Sequence, residues 1–351
     1  MAQSLVHTGK FSVNILGFYS NTHSSFRDIK FHHLNRLNSR SLARLLSNSS
    51  VFLRLLKIKP TIIIVCTPEV APACLLYKLL FPVVKLVYDI QENYSRNIVH
   101  HHPSKKIVGK ALAVIVDFIE KKLAYHANLL LIAERGYFLE KPWLNKHPHL
   151  LLENKVLPQA RTEKPKISDT ITIVYTGTIS TMYGIWDALR FTDQLRSALK
   201  GKLQFLLLGH VTQNNTYQQL QTALVNRPWI IANISLNPVP HQLLLKAIQT
   251  ANFGIVSHQI LPSIENCFPT RIWEYMHYQL PFFIQNHPPW VDYCRPWKCS
   301  VPVNFASNDW PMDEFIQQME NTKFYTQGFP SSIYWEEKAF VESINRVLKK
   351  N

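Results

Sequence analysis

Arg271 and Glu274 stand three residues apart in NCFPTRIWEYMHYQLPFFI (266–284), just after Pro269 and just before an apolar run. A guanidinium stays charged and offers a fork of donors that matches phosphate, whereas an ionised carboxylate only accepts and suits a diol such as a ribose. Proline is favoured at a first helical position, because its missing N–H would be unpaired there anyway. A helix starting near Pro269 puts the two side chains about 60° apart on its surface. Ile272, Trp273 and Met276 would then take the buried face, and the free amides of the first turn would await an anion. The same spacing also suits an exposed i,i+3 ion pair. On this segment alone, both readings stay open.

The elements that must position this helix follow a regular rhythm. FSVNILGF (11–18), TIIIVCT (61–67), VVKLVYD (83–89) and NLLLIAE (128–134) are nearly continuous in apolar residues and read as strands buried on both faces. Helical patterns are predicted at 70–80 and 105–125. After the polar, proline-containing segment PQARTEKPKISD (158–169) the rhythm restarts. ITIVYTG (171–177), KLQFLLLGH (202–210), NFGIVSH (252–258) and LPFFIQN (280–286) read as strands, with helices at 184–200, 239–250 and 269–278. Such alternation predicts an α/β chain of two doubly wound, Rossmann-like parallel-sheet domains facing a cleft. Ligands of open parallel sheets sit beyond the carboxyl ends of the strands. That rule picks out Gly177 and Thr178, Gly209 and His210, Ser257 and His258, and Gln285 and Asn286. In the first half it picks out Thr67, Glu69 and Asp89 through Asn93.

The charge is uneven. Of a net +15, residues 1–150 carry 20 Lys and Arg against 8 Asp and Glu, and hold ten of the 15 histidines. A basic half suits an anionic partner or is simply a solvated surface. Five cysteines without a CxxC pair suggest reduced thiols rather than a disulfide framework or zinc site. The adjacent His100, His101 and His102 do not make a metal site by themselves. The chain begins without a secretory leader pattern, and no uninterrupted apolar run reaches 18 residues, so the expectation is a cytoplasmic protein. No nucleic-acid-reading module is visible. The helical stretch within 96–126 follows a His/Lys-rich loop and is apolar all round its first half. It suits a core helix, or a protein resting peripherally on the inner, anionic face of a plasma membrane.

Pro269-Thr-Arg-Ile-Trp-Glu-Tyr-Met276, with Leu280-Pro281, resembles the P-[ST]-K-[LI]-[FW]-E-Y-M … G-x-P signature of the family-4-like glycosyltransferases with the GT-B fold. Four more segments are similar to theirs in the right order: VYDIQENY (87–94), LLENKV (151–156), VYTGTISTMYGIWDAL (174–189) and VPHQLLLKAIQTANFGIVSH (239–258). The resemblance implies an acceptor-binding domain over 1–157, a nucleotide-sugar-binding domain over 158–335, and a terminal helix, 336–351, free to pack back on the first. It implies a nucleotide-sugar donor, with Glu274 accepting from the ribose hydroxyls and Arg271, where lysine is usual, neutralising the diphosphate. Gly177, Thr178, Ile179, Ser180 and Gly184 would form the phosphate loop. The base would lie by Gly209, His210 and Val239, and the sugar near Asn266, Cys267 and Phe268, beside Pro269 and Thr270.

The chain departs from that pattern in three places. Met182-Tyr183 precede Gly184 where many relatives carry a basic residue. Glu265 and Glu274 have eight residues between them instead of seven. Gln91 replaces a histidine, and cannot serve as a general base. Retaining transfer tolerates that, since the leaving phosphate helps take the acceptor's proton and catalysis rests on positioning and charge stabilisation. Asp89 and Glu92 would position an acceptor hydroxyl, or else cap and brace the end of their strand. No DxD occurs, so no metal and no cofactor beyond the sugar nucleotide is expected. The resemblance thus implies transfer to a saccharide or lipid-phosphate-linked acceptor in polysaccharide or glycolipid synthesis. A non-catalytic partner subunit on the same fold, at the membrane surface, and a sugar-nucleotide epimerase or hydrolase using Glu265 or His258, are the alternatives.

Overall fold

The structure, a computed structural model, describes residues 1–18, 28–34, 47–101, 106–160, 169–262 and 264–349. His102 and positions 161–168 of the proline-containing segment lie outside them. The chain divides into two compact units, Met1–Asn154 with Glu336–Asn351, and Lys155–Trp335.

The first unit runs α1 (Ala2–His7), β1 (Val13–Gly17), β2 (Ile29–His33), α2 (Asn48–Ile58), β3 (Ile62–Val65), α3 (Ala71–Leu80), β4 (Lys85–Ile90), α4 (Tyr94–His101), α5 (Lys106–His126), β5 (Leu129–Ile132), α6 (Tyr137–Glu140) and β6 (His149–Leu151). Strands β3-β4-β5-β6 form one parallel sheet. Its central strands are buried throughout from Leu86 to Ile90 and from Leu129 to Ile132, as a sheet with helices on its faces requires. The first strand differs from expectation. β1 pairs only with β2 among the described residues and is half-buried along its length, so its apolar residues serve a small two-stranded layer. Beneath the four-stranded sheet, the carboxylate of Glu120 on α5 accepts from Tyr88 Oη at 2.8 Å and from Lys141 Nζ at 2.5 Å, all within the core. A buried carboxylate is tolerable only with such partners.

The second unit runs β7 (Ile171–Ile179), α7 (Ile185–Ala198), β8 (Leu203–Val211), α8 (Asn214–Val225), β9 (Ile230–Ser235), α9 (His241–Thr250), β10 (Phe253–Val256), α10 (Thr270–His277), β11 (Phe282–Gln285), α11 (Pro288–Cys294), β12 (Ser300–Val303) and α12 (Met312–Asn321). Its six strands are all parallel, in the order β12-β11-β10-β7-β8-β9. Two apolar clusters, one on Phe191, Phe205 and Phe283 and the other on Trp273, Tyr275 and Phe282, hold the helices on the sheet. The strand order reverses between β7 and β10, and such a switch point opens a crevice at the carboxyl ends of the two strands. The last helix, α13 (Glu337–Lys349), belongs to the first unit, where it packs on α1 and buries Phe340, Ile344 and Val347.

Candidate functional site

The switch point of the second unit brings together most of the residues that the sequence singles out there. Arg271 comes from α10, which starts at Thr270. Pro269 is therefore the N-cap and not the first helical residue: its ψ of 119° is extended, and its carbonyl accepts from the Ile272 amide at 3.0 Å. The eight-residue helix buries Ile272, Trp273, Tyr275 and Met276 against the sheet, and buries Arg271 and His277 as well.

Arg271 is 6% exposed. Its guanidinium lies 4.0 Å from the centre of the Tyr175 ring and donates through Nη2 to the Thr178 carbonyl at 2.6 Å. Stacking on an aromatic face suits a planar, weakly hydrated cation. Its Nη1 is buried with no hydrogen-bond partner. Glu274 turns elsewhere, accepting from His241 Nε2 at the start of α9 at 2.8 Å. That hydrogen bond raises the pKa of His241 above its ordinary value. The exposed Arg271–Glu274 ion pair is thus absent among the described residues; each side chain has found a different element.

His258, two residues beyond β10, lies between Tyr183 and Trp290, with ring centres 4.7 and 5.9 Å away. Burial, and after it the charge of Arg271, pushes its pKa well below the ordinary range, so the ring is neutral at pH 7. Its Nδ1 is also buried without a partner. A second polar atom without a partner thus lies near a guanidinium whose Nη1 also has none.

The loop after β7 is drawn in tightly. Gly184, the N-cap of α7, has φ +72°, and a Cβ there would sit 1.8 Å from the Ser257 carbonyl oxygen. Ser257 Oγ in turn donates to the Gly184 carbonyl at 2.8 Å. Ser180 Oγ accepts from the Tyr183 amide at 3.2 Å, so its hydroxyl oxygen is engaged within its own turn. At the neighbouring strand, Gly209 pairs with Gly177, and a Cβ on Gly209 would meet the Gly177 carbonyl oxygen at 1.8 Å. Only glycine lets the two strand ends approach this closely.

The other residues read from sequence surround these. His210, the penultimate residue of β8, is half-buried, and Val239 is half-buried just ahead of α9. Thr270 is exposed. Asn266, Cys267 and Phe268 are half-buried, the Cys267 carbonyl accepting from the Trp290 indole at 2.9 Å and Phe268 stacking on Trp273 at 4.9 Å. Tyr175 and His241 are site residues to which the motifs assign no role. Tyr175 stands two residues before Gly177 on a strand whose alternation places it under the loop, and this spacing was a usable signal. His241 carried none.

In the first unit, Asp89 and Glu92 part company. Asp89 is 2% exposed at the end of β4, and both carboxylate oxygens accept from Gln91 Nε2 at 2.6 Å. Burial raises its pKa. Glu92 is exposed and accepts from Asn97 Nδ2 at 3.1 Å. The bracing role that the sequence left open for Asp89 therefore has an observed partner.

The whole chain is similar in fold to solved structures. It superposes on sucrose-phosphate synthase from Thermosynechococcus elongatus with a TM-score of 0.71 over 100% of this chain and 92% of that one, at 10% identity. The fold is GT-B. An α,α-trehalose-phosphate synthase (UDP-forming) from Burkholderia xenovorans, solved in complex with glucose-6-phosphate, gives 0.63 over 96% and 92% at 11% identity. A trehalose-6-phosphate synthase analysed with bisubstrate glycomimetics gives 0.64 over 97% and 95%, also at 11%. At such identities the GT-B likeness is one of backbone architecture. No protein-family model and no curated relative matches the chain.

Proposed function

We propose that the chain is a glycosyltransferase, moving a sugar from a nucleoside-diphosphate donor held in the second unit to a saccharide or lipid-phosphate-linked acceptor. The observation that carries this is Arg271. It is a buried cation at the switch point of a parallel sheet, with one donor nitrogen uncommitted and no carboxylate paired to it among the described residues. A buried charge without a counter-charge is costly, and a diphosphate would supply that counter-charge. The developing charge on the leaving diphosphate is where such a preorganised cation acts most strongly.

The rest of the site supports the same reading. Neutral His258 adds a second group beside the guanidinium without adding a competing charge. Glu274, oriented by His241, would accept from the ribose hydroxyls. Gly177, Thr178, Ser180 and Gly184 shape the wall of the phosphate site, and Gly209, His210 and Val239 flank the base. Asn266, Cys267, Phe268, Pro269 and Thr270 border the sugar. Asp89 and Glu92 are proposed for the acceptor side. Neutralisation of the diphosphate by Arg271 supports transfer without a metal, and transfer with retention is proposed with it. Glycosyltransfer with retention is what the work on the trehalose-6-phosphate synthase describes for that enzyme. Synthesis of a surface polysaccharide or glycolipid from within the cell is the setting proposed for it.

The test is product release. The protein, given a panel of nucleotide sugars with and without saccharide or lipid-phosphate acceptors, should liberate nucleoside diphosphate only when donor and acceptor are both present. Release from a donor alone, abolished by His258→Gln, would favour hydrolysis instead.

A further inference from the structure

Helix α5 presents an apolar stripe to solvent. Ile107, Val114, Ile115, Phe118 and Tyr125 recur at helical spacing and are 85, 70, 55, 59 and 74% exposed. These positions fall within roughly 100° of the helix surface, on the side away from buried Ala113, Glu120, Leu123 and Ala124. The helix thus packs one face into the core and leaves an apolar face in solvent. Beside it packs α3, whose Leu79 and Leu80 are also exposed. Apolar surface gathered on one helix this way marks an interaction site.

Charge indicates which kind of partner. Lys110, Lys121 and Lys122 are exposed along the same helix, with Lys122 Nζ 5.6 Å from the centre of the Phe118 ring. The acids of the helix are already committed: Asp117 pairs with Lys121 at 2.7 Å and Glu120 is buried on Lys141. The whole first unit has 24 Lys and Arg against 12 Asp and Glu. A second copy docked face to face would set these lysines against their own counterparts, whereas anionic headgroups would neutralise them while acyl chains take up the stripe. Among the described residues no helix is long and apolar enough to cross a membrane, so α5 would lie in the interface.

We infer that the exposed face of α5 docks the protein on an anionic lipid surface, with Phe118 and its apolar neighbours inserted and Lys110 and Lys122 at headgroup level. Docking depends only on the first unit and is independent of what the second unit binds.

Co-sedimentation with vesicles of phosphatidylcholine alone, or mixed equally with phosphatidylglycerol, tests it. The full chain should bind the mixed vesicles and bind the neutral ones more weakly. Each of Lys110→Gln and Lys122→Gln should weaken binding about fivefold, and Phe118→Glu or Ile115→Glu about tenfold or more. Because all four side chains are exposed, melting temperatures should stay at the wild-type value, which separates lost docking from lost folding. Failure of the wild type to bind mixed vesicles, or undiminished binding by both glutamate variants, overturns the inference. So does a dimer in sedimentation equilibrium that Phe118→Glu dissociates, since the stripe would then belong to a second copy.

Discussion

Acid should destabilise the second unit through His258. Burial between Tyr183 and Trp290, and then the nearby charge of Arg271, hold its pKa well below the ordinary 6.5. In the unfolded chain the same ring takes up a proton as pH falls through 6.5, and in the native protein it does not. The unfolded state therefore binds more protons below that pH, so the contribution is intact above 6.5 and is lost as the solution becomes more acid. One proton corresponds to a slope of about 1.4 kcal/mol per pH unit for as long as the native ring stays neutral. For a unit of this size that is about 3–6 °C in Tm per pH unit. Calorimetric melting of wild type and His258→Gln from about pH 7.5 to about pH 5 reads the effect directly. His287, whose pKa is also lowered by burial, acts in the same direction. The informative quantity is therefore the difference in slope between the two proteins. Parallel curves below pH 6.5 would refute the reasoning, because the native ring would then be titrating as freely as the unfolded one.

Other outcomes follow from single contacts. Gly184→Ala puts a side chain at a positive φ and against the Ser257 carbonyl, and should lower stability by about 2 kcal/mol or more in denaturant unfolding; a change within error would mean that the turn relaxes freely. Lys141→Met leaves Glu120 buried with only Tyr88 for a partner, a loss of about 3–5 kcal/mol, and adding Glu120→Gln should recover part of it in the same assay. Glu274→Gln should bring the pKa of His241 down toward its ordinary value in an NMR titration, since the hydrogen bond that His241 donates to the Glu274 carboxylate is what raises it. An unmoved value would place that carboxylate away from the ring in solution.

The central strands were legible because a sheet covered on both faces leaves continuous apolar runs. KLVYDI in β4, LLLI in β5 and FFIQ in β11 could be read without any partner in view. The edge strands β9 and β12 were not. β9 is exposed along its middle, and β12 carries Pro302, so neither has the composition of a buried strand. Apolar runs also misled in two places: β1 joins a thin two-stranded layer, and α5 turns its apolar side to water. Helical spacing correctly placed Arg271 and Glu274 on one short helix at the rim of the sheet. It could not show where their side chains would end. Arg271 reaches Thr178 and Tyr175 on β7, and Glu274 reaches His241 on α9. Those partners are distant in sequence and become neighbours only because the sheet reverses its order between β7 and β10.

Binding of nucleoside diphosphates to wild type and Arg271→Met, followed by calorimetry with a thermal-shift control for folding, tests the central claim most directly. The account predicts that at least one of the uridine, guanosine, adenosine or thymidine diphosphates binds and stabilises the wild type. It predicts that the folded variant binds the same compound about 10- to 100-fold more weakly, as expected for the loss of a charged hydrogen-bonding group. A wild type that binds none of them, or a folded Arg271→Met protein that binds as tightly as the wild type, would contradict it.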